Sequence, residues 1–93
     1  MNETFDLFRG RALKIARQYD TDHMTFADLT GMADDYAAAF HEALGNSPDE
    51  IRQQAATRLQ ERLLQDSNAS GHSTKISEAL LELAASLNRI PIY

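Results

Sequence analysis

Residues 25–50 read TFADLTGMADDYAAAFHEALGNSPDE, and this stretch decides the fold. Phe26, Ala33 and Phe40 recur at intervals of seven, as do Leu29, Tyr36 and Ala43. Seven residues make close to two turns of α-helix, so these side chains form one continuous apolar stripe. Gly31, Ala38 and Gly45 repeat at the same interval beside Met32 and Ala39, making a second surface that is small and smooth. A helix with one bulky face and one small face can be packed from two sides. The sequence therefore predicts that this helix lies at the centre of the domain. Its start is marked by Thr25 with Asp28 three residues on, a capping box with Asp in place of Glu.

The end of the stretch is a stop followed at once by a start. Gly45 or Asn46 supplies the left-handed residue that closes a helix. Ser47 reads as the next N-cap, Pro48 as the first helical residue and Glu50 as the third. Asp49 and Glu50 suit the positive end of the new helix dipole. Segments two and three must therefore turn sharply against each other.

Toward the N-terminus, Phe5, Phe8, Ala12, Ile15, Ala16 and Tyr19 follow helical spacing from about Thr4 to Tyr19, with Asn2 or Thr4 as cap. Toward the C-terminus, Ile51, Ala55, Leu59 and Leu63 give a thinner apolar face from Pro48 to about Gln65. Asp66-Ser67-Asn68-Ala69-Ser70-Gly71-His72-Ser73 reads as a polar loop. A fourth segment begins near Ser73 or Thr74 and ends by Asn88 or Arg89. Ile76, Ala79, Leu80, Leu81, Leu83, Ala84, Ala85 and Leu87 cover well over half its circumference. Pro91 turns the chain out of helical geometry, leaving Ile90-Pro91-Ile92-Tyr93 as a short extended apolar tail. The predicted fold is all-α: one domain over residues 1–93, with four helices, helix two central.

The chain has 93 residues, which admits one small core. It has no cysteine, so disulfides, thiolate metal sites and thiol nucleophiles are excluded. No apolar run reaches the ~18 residues of a membrane span, and the N-terminus does not read as a signal peptide, so the expected compartment is cytoplasmic. Lys and Arg total 9 against 14 Asp and Glu, a net charge of −5. The charge is unevenly placed. Residues 18–51 hold eight acids and no Lys or Arg, whereas residues 1–17 sum to +2 and residues 52–93 to +1. That block disfavours nucleic acid and membrane surfaces as partners.

Motifs for chemistry are absent in the forms that chemistry needs. Asp20, Asp22, His23 and Asp28 lack the turn glycine and closing Glu of a calcium loop. His41-Glu42 is followed by Gly45 where a zincin motif needs His, and His41 is expected on the wet side of helix two. His72 shares its loop with Asp66, Ser70 and Ser73, with no ordered base or oxyanion hole implied. The four glycines are isolated, so no phosphate loop exists. The expectation is no enzyme, no metal and no cofactor.

Two surfaces remain. Asp28, Asp35 and Glu42, spaced by seven, with Asp34 beside them, line one edge of helix two without a base at i±3 or i±4. Such an edge is either a plain solvated face or a dock for a basic protein surface, whether a separate partner or the Arg9, Arg11, Lys14 and Arg17 side of segment one. Leu81 and Ala85, with Ile90, Ile92 and Tyr93, are expected to serve self-association, as a homodimer, or docking, unless Ile90, Ile92 and Tyr93 instead cover the protein's own core.

Several fragments resemble the DNA-binding module of AraC-type transcription regulators, a family of paired helix-turn-helix units. They are Met24-Thr25-Phe26-Ala27-Asp28-Leu29, Gly31-Met32, Phe40 with Leu44-Gly45-Asn46-Ser47-Pro48-Asp49-Glu50, and Ile76-Ser77-Glu78. The fragments span about half the chain and align only with gaps. The resemblance implies a DNA-binding regulator as the alternative function. The would-be reading helix carries Asp34, Asp35, Ala37, Ala38 and Ala39, where phosphate and base contacts require basic or polar side chains, so no site residue is carried over. The favoured expectation is a small regulatory or accessory protein that acts by binding another protein.

Overall fold

The computed structural model describes residues 2–45, 47–69 and 71–89. Among them are four α-helices and no strand: α1 (Asn2–Thr21), α2 (Phe26–Leu44), α3 (Asp49–Ser67) and α4 (Thr74–Arg89). The tail from Ile90 to Tyr93 lies outside the described residues, as do Asn46 and Ser70.

The local signals explain most boundaries. Thr25 Oγ accepts from the Asp28 amide, and the Asp28 carboxylate accepts from the Thr25 amide, completing the expected box. Gly45 closes α2 at φ 54° and ψ −120°, a backbone region that side chains disfavour. Its amide donates to Glu42 O, and Ser47 N donates to Leu44 O, turning the chain toward α3. Ser73 caps α4 by accepting from the Ile76 amide.

Three boundaries differ from the sequence reading. Pro48 has ψ 149°, so it stands as the N-cap of α3, and no side chain caps that end. Helix α1 already begins at Asn2, which puts Thr4 inside it. Helix α3 runs through Asp66 and Ser67, because Asp66 finds a partner on α1 and is not released into the loop.

The larger correction concerns the centre. Helix α4 packs against α1, α2 and α3, and each of these touches α4 far more than it touches the others. Ala79, Leu80, Leu83, Ala84, Ser86 and Leu87 are all buried. The wide apolar circumference of α4 is what a helix surrounded on three sides requires. Helix α2 lies at the periphery. Its bulky face buries Leu29, Ala33, Tyr36, Ala37, Phe40 and Leu44, while Phe26 and Ala43, at its ends, stay exposed. Its small face is largely bare: Gly31 and Ala38 are exposed, and a Cβ built on Gly31 would have no neighbour within 4 Å, while Ala39 at the margin packs on the core.

Aromatic side chains tie α2 to α1. Phe8 meets Tyr36 and Phe40 edge-on, with ring centroids 5.6 and 5.1 Å apart. Such pairs contribute about 0.5–1.5 kcal/mol each beyond area burial. The buried Tyr36 hydroxyl donates to Phe8 O at 2.8 Å, and burial raises its pKa above the ordinary tyrosine value.

Candidate functional site

The outer face of α2 is built by helical spacing alone. Asp28, Asp35 and Glu42 are exposed in one row, Gly31 and Ala38 are exposed in the row beside it, and Asp34 is half-buried at the margin. Asp28 is already engaged in the N-terminal cap. Asp34 also interacts with another group of the chain. The helix carries no Lys or Arg, so its own side chains leave the carboxylates of Asp35 and Glu42 unneutralised. The result is a rod of negative charge with little side-chain bulk around it, against which a partner's backbone can come close.

Of the bases of segment one, Arg9 is engaged away from this edge. Arg9 reaches α3, where its Nε and Nη2 donate to the two carboxylate oxygens of Asp66 at 2.9 and 3.0 Å. Arg62 stands 3.7 Å from the same carboxylate. The Arg9 hydrogen bond holds the Asp66 carboxyl below the usual carboxylate range; burial opposes it, and the charges of Arg9, Arg62 and His72 add to it. Arg11 lies over the Phe8 ring, 5.0 Å from its centroid. This fork joins α1 to α3 and was not legible in the sequence.

The second candidate surface is the seam between α3 and α4. The Ser77 hydroxyl donates to Ser67 O at 2.7 Å, and the Asn88 amide donates to Gln60 Oε1. These bonds fix an antiparallel register that sets Leu64 of α3 level with Leu81 of α4. Leu64 and Leu81 are 39 % and 48 % exposed, and Ala85 is exposed one turn beyond Leu81. Leu81 and Ala85 thus stay on the surface as expected, and Leu64 is a member the sequence reading missed. Ile90, Ile92 and Tyr93 lie outside the described residues.

The residue types suited to chemistry are dispersed into structural work. Among the described residues no three His, Asp or Glu side chains converge on a point that could hold a metal ion. His23 adopts φ 53° at the turn after α1, and Asp22 accepts from the Thr21 hydroxyl. Asp66 is taken by Arg9, and Ser73 by its cap. His41 is not on the wet side of α2: it is 9 % exposed, against the last turn of α4. A shallow open depression on α3 is lined by Glu50, Gln53, Gln54, Thr57, Arg58 and Glu61, all from one helix. No described helix is long and apolar enough to cross a membrane.

Compared with known proteins, the chain matches no family model, no curated protein and no solved structure.

Proposed function

We propose that this chain is a small cytoplasmic interaction protein, regulatory or accessory in role and without chemistry of its own, which binds another protein through the acidic outer edge of α2. The observation that carries the reading is that edge itself: exposed Asp35 and Glu42 beside a bare Gly31–Ala38 row, on a helix with no base. A partner of basic surface suits it, and association should be faster at low salt, since long-range charge steers encounter.

The test is affinity capture from the native host with the wild-type chain and with Asp35→Lys/Glu42→Lys, followed by cross-link mapping. A partner retained by the wild type, lost by the variant and cross-linked to α2 supports the proposal. A partner retained equally by both removes it. Salt-sensitive gel-shift binding to DNA at physiological ionic strength would favour a DNA-binding regulator instead.

A second reading, self-association, is favoured by the Leu64, Leu81 and Ala85 seam, which presents apolar surface with uncharged Gln60, Ser77 and Asn88 along it and exposed Glu61 and Glu78 at its margin. Charge depletion at the centre of a patch is the compositional mark of interfaces. Light scattering over micromolar concentrations should give a dimer for the wild type and a monomer for Leu81→Glu. A monomer of 10.4 kDa for both would refute it.

A further inference from the structure

The last turn of α2 is fastened to the last turn of α4 by a histidine. Leu87 O is among the last four carbonyls of α4, which have no intrahelical amide to accept, and residue 91 is proline, which offers no N–H. His41 Nε2 stands 3.4 Å from that carbonyl, a long hydrogen bond that fits the tautomer with its proton on Nε2. Nδ1 is then a bare acceptor, and among the described residues it is buried without a donor. The ring lies beside Phe40, 6.0 Å between centroids.

We propose that His41 is an acid-released latch: protonation of its imidazole detaches the C-terminal end of α2 from α4 while the rest of the domain stays folded.

The argument is one of hydrogen-bond capacity and charge. An imidazolium carries two N–H donors, and among the described residues Nδ1 has no acceptor to meet. A buried charge without a counter-charge is unfavourable. Among the described residues, the groups facing the ring do not supply one. From α4 it meets the Leu87 carbonyl, from α3 the charge that bears on it is Arg52, and on α2 the adjoining Glu42 is exposed. Arg52 is itself paired with Asp49. Burial and Arg52 hold the imidazole below the ordinary histidine range, with the Leu87 bond opposing them. The neutral ring therefore belongs to the docked helix and the protonated ring to the undocked one.

The release is confined to the end of α2 because, just before it, Phe8 of α1 holds Tyr36 and Phe40 edge-on and Tyr36 donates to Phe8 O. Undocking its last turn uncovers Leu44 and Leu87, both buried in the docked structure. Acidification would thus expose apolar surface at one defined end of the molecule.

The test is amide hydrogen exchange by NMR on the full chain at pH 7.5 and 5.5, corrected for the intrinsic pH dependence of exchange. Wild type should lose protection about tenfold or more in residues 38–44 and 84–87, relative to residues 12–19 and 56–63. His41→Gln keeps a side-chain N–H donor and cannot titrate, so its protection in those segments should not depend on pH. Equal loss in His41→Gln, or loss spread evenly over all helices in wild type, overturns the latch. Should His41→Gln not fold, the wild-type imidazole titration decides. Protonation of His41 coincident with exposure of residues 38–44 supports the proposal; protonation of His41 without that exposure refutes it.

Discussion

Asp66→Ala should unlock α1 from α3, and the structure allows its cost to be worked out. Two charge-assisted bonds at 2.9 and 3.0 Å are lost together. Each such bond is worth about 1.5–3 kcal/mol net, and stranding a fully buried partner costs about 3–5 kcal/mol. The stranded Arg9 side chain is 34 % exposed, so it regains water and the cost falls to the lower end. We expect a loss of about 2 kcal/mol, or roughly 10 °C in Tm for a domain of this size. A double-mutant cycle with Arg9→Ala, measured by urea unfolding at pH 6, should return a coupling of about 1 kcal/mol or more. Linkage gives the pH signature. Asp66 has its folded pKa depressed below 3.8, so its stabilisation is complete above the unfolded value and is lost as pH falls through the folded one. The gap between wild type and Asp66→Ala should be constant from pH 6 to 5 and close below about pH 4. A coupling under about 0.3 kcal/mol, or a gap that persists unchanged to pH 2, refutes the reasoning.

Three substitutions probe other features. Gly31→Ala should stabilise the protein by about 1 kcal/mol in urea melts, because Gly31 is inside a helix with free space around it; destabilisation would mean that the face is covered. His23→Gly should raise stability by about 0.5–1 kcal/mol, since His23 holds φ 53° at an exposed turn; no change in Tm would argue against strain there. Leu83→Ala, at the buried centre of α4, should cost about 2–5 kcal/mol by thermal unfolding, more than Leu81→Ala on the exposed side of the same helix.

The helices were legible in the sequence because their signals are local. Thr25 and Asp28, Gly45, and Ser73 or Thr74 mark ends that the structure reproduces, since caps act within a few residues. What depended on distance was misread. The small stripe of α2 looked like a second packing face, yet small side chains are equally compatible with bare solvent, and nothing in the sequence distinguishes the two. The broad apolar face of α4 looked like surplus, although it is matched by three neighbouring helices. Asp66 looked like loop because its partner, Arg9, is 57 residues away. His41 sits at the edge of the buried arc of α2, where a helical pattern alone cannot assign side; the missing N–H of Pro91 was the available clue. Of the candidate site, the acidic row and the Leu81–Ala85 pair came from periodicity, whereas Leu64 needed the register between α3 and α4.

The position of α4 in the chain bears on how the domain is made. The ribosome delivers α1, α2 and α3 first, and these three touch one another only sparsely. Each must keep an apolar flank uncovered until residues 74–89 have emerged, so the core assembles late and nearly all at once rather than growing from the N-terminus. During that interval Phe8, Leu29, Phe40, Leu59 and Leu63 have no complete shelter. Interruption of synthesis before α4 would leave an adhesive fragment rather than a smaller folded protein.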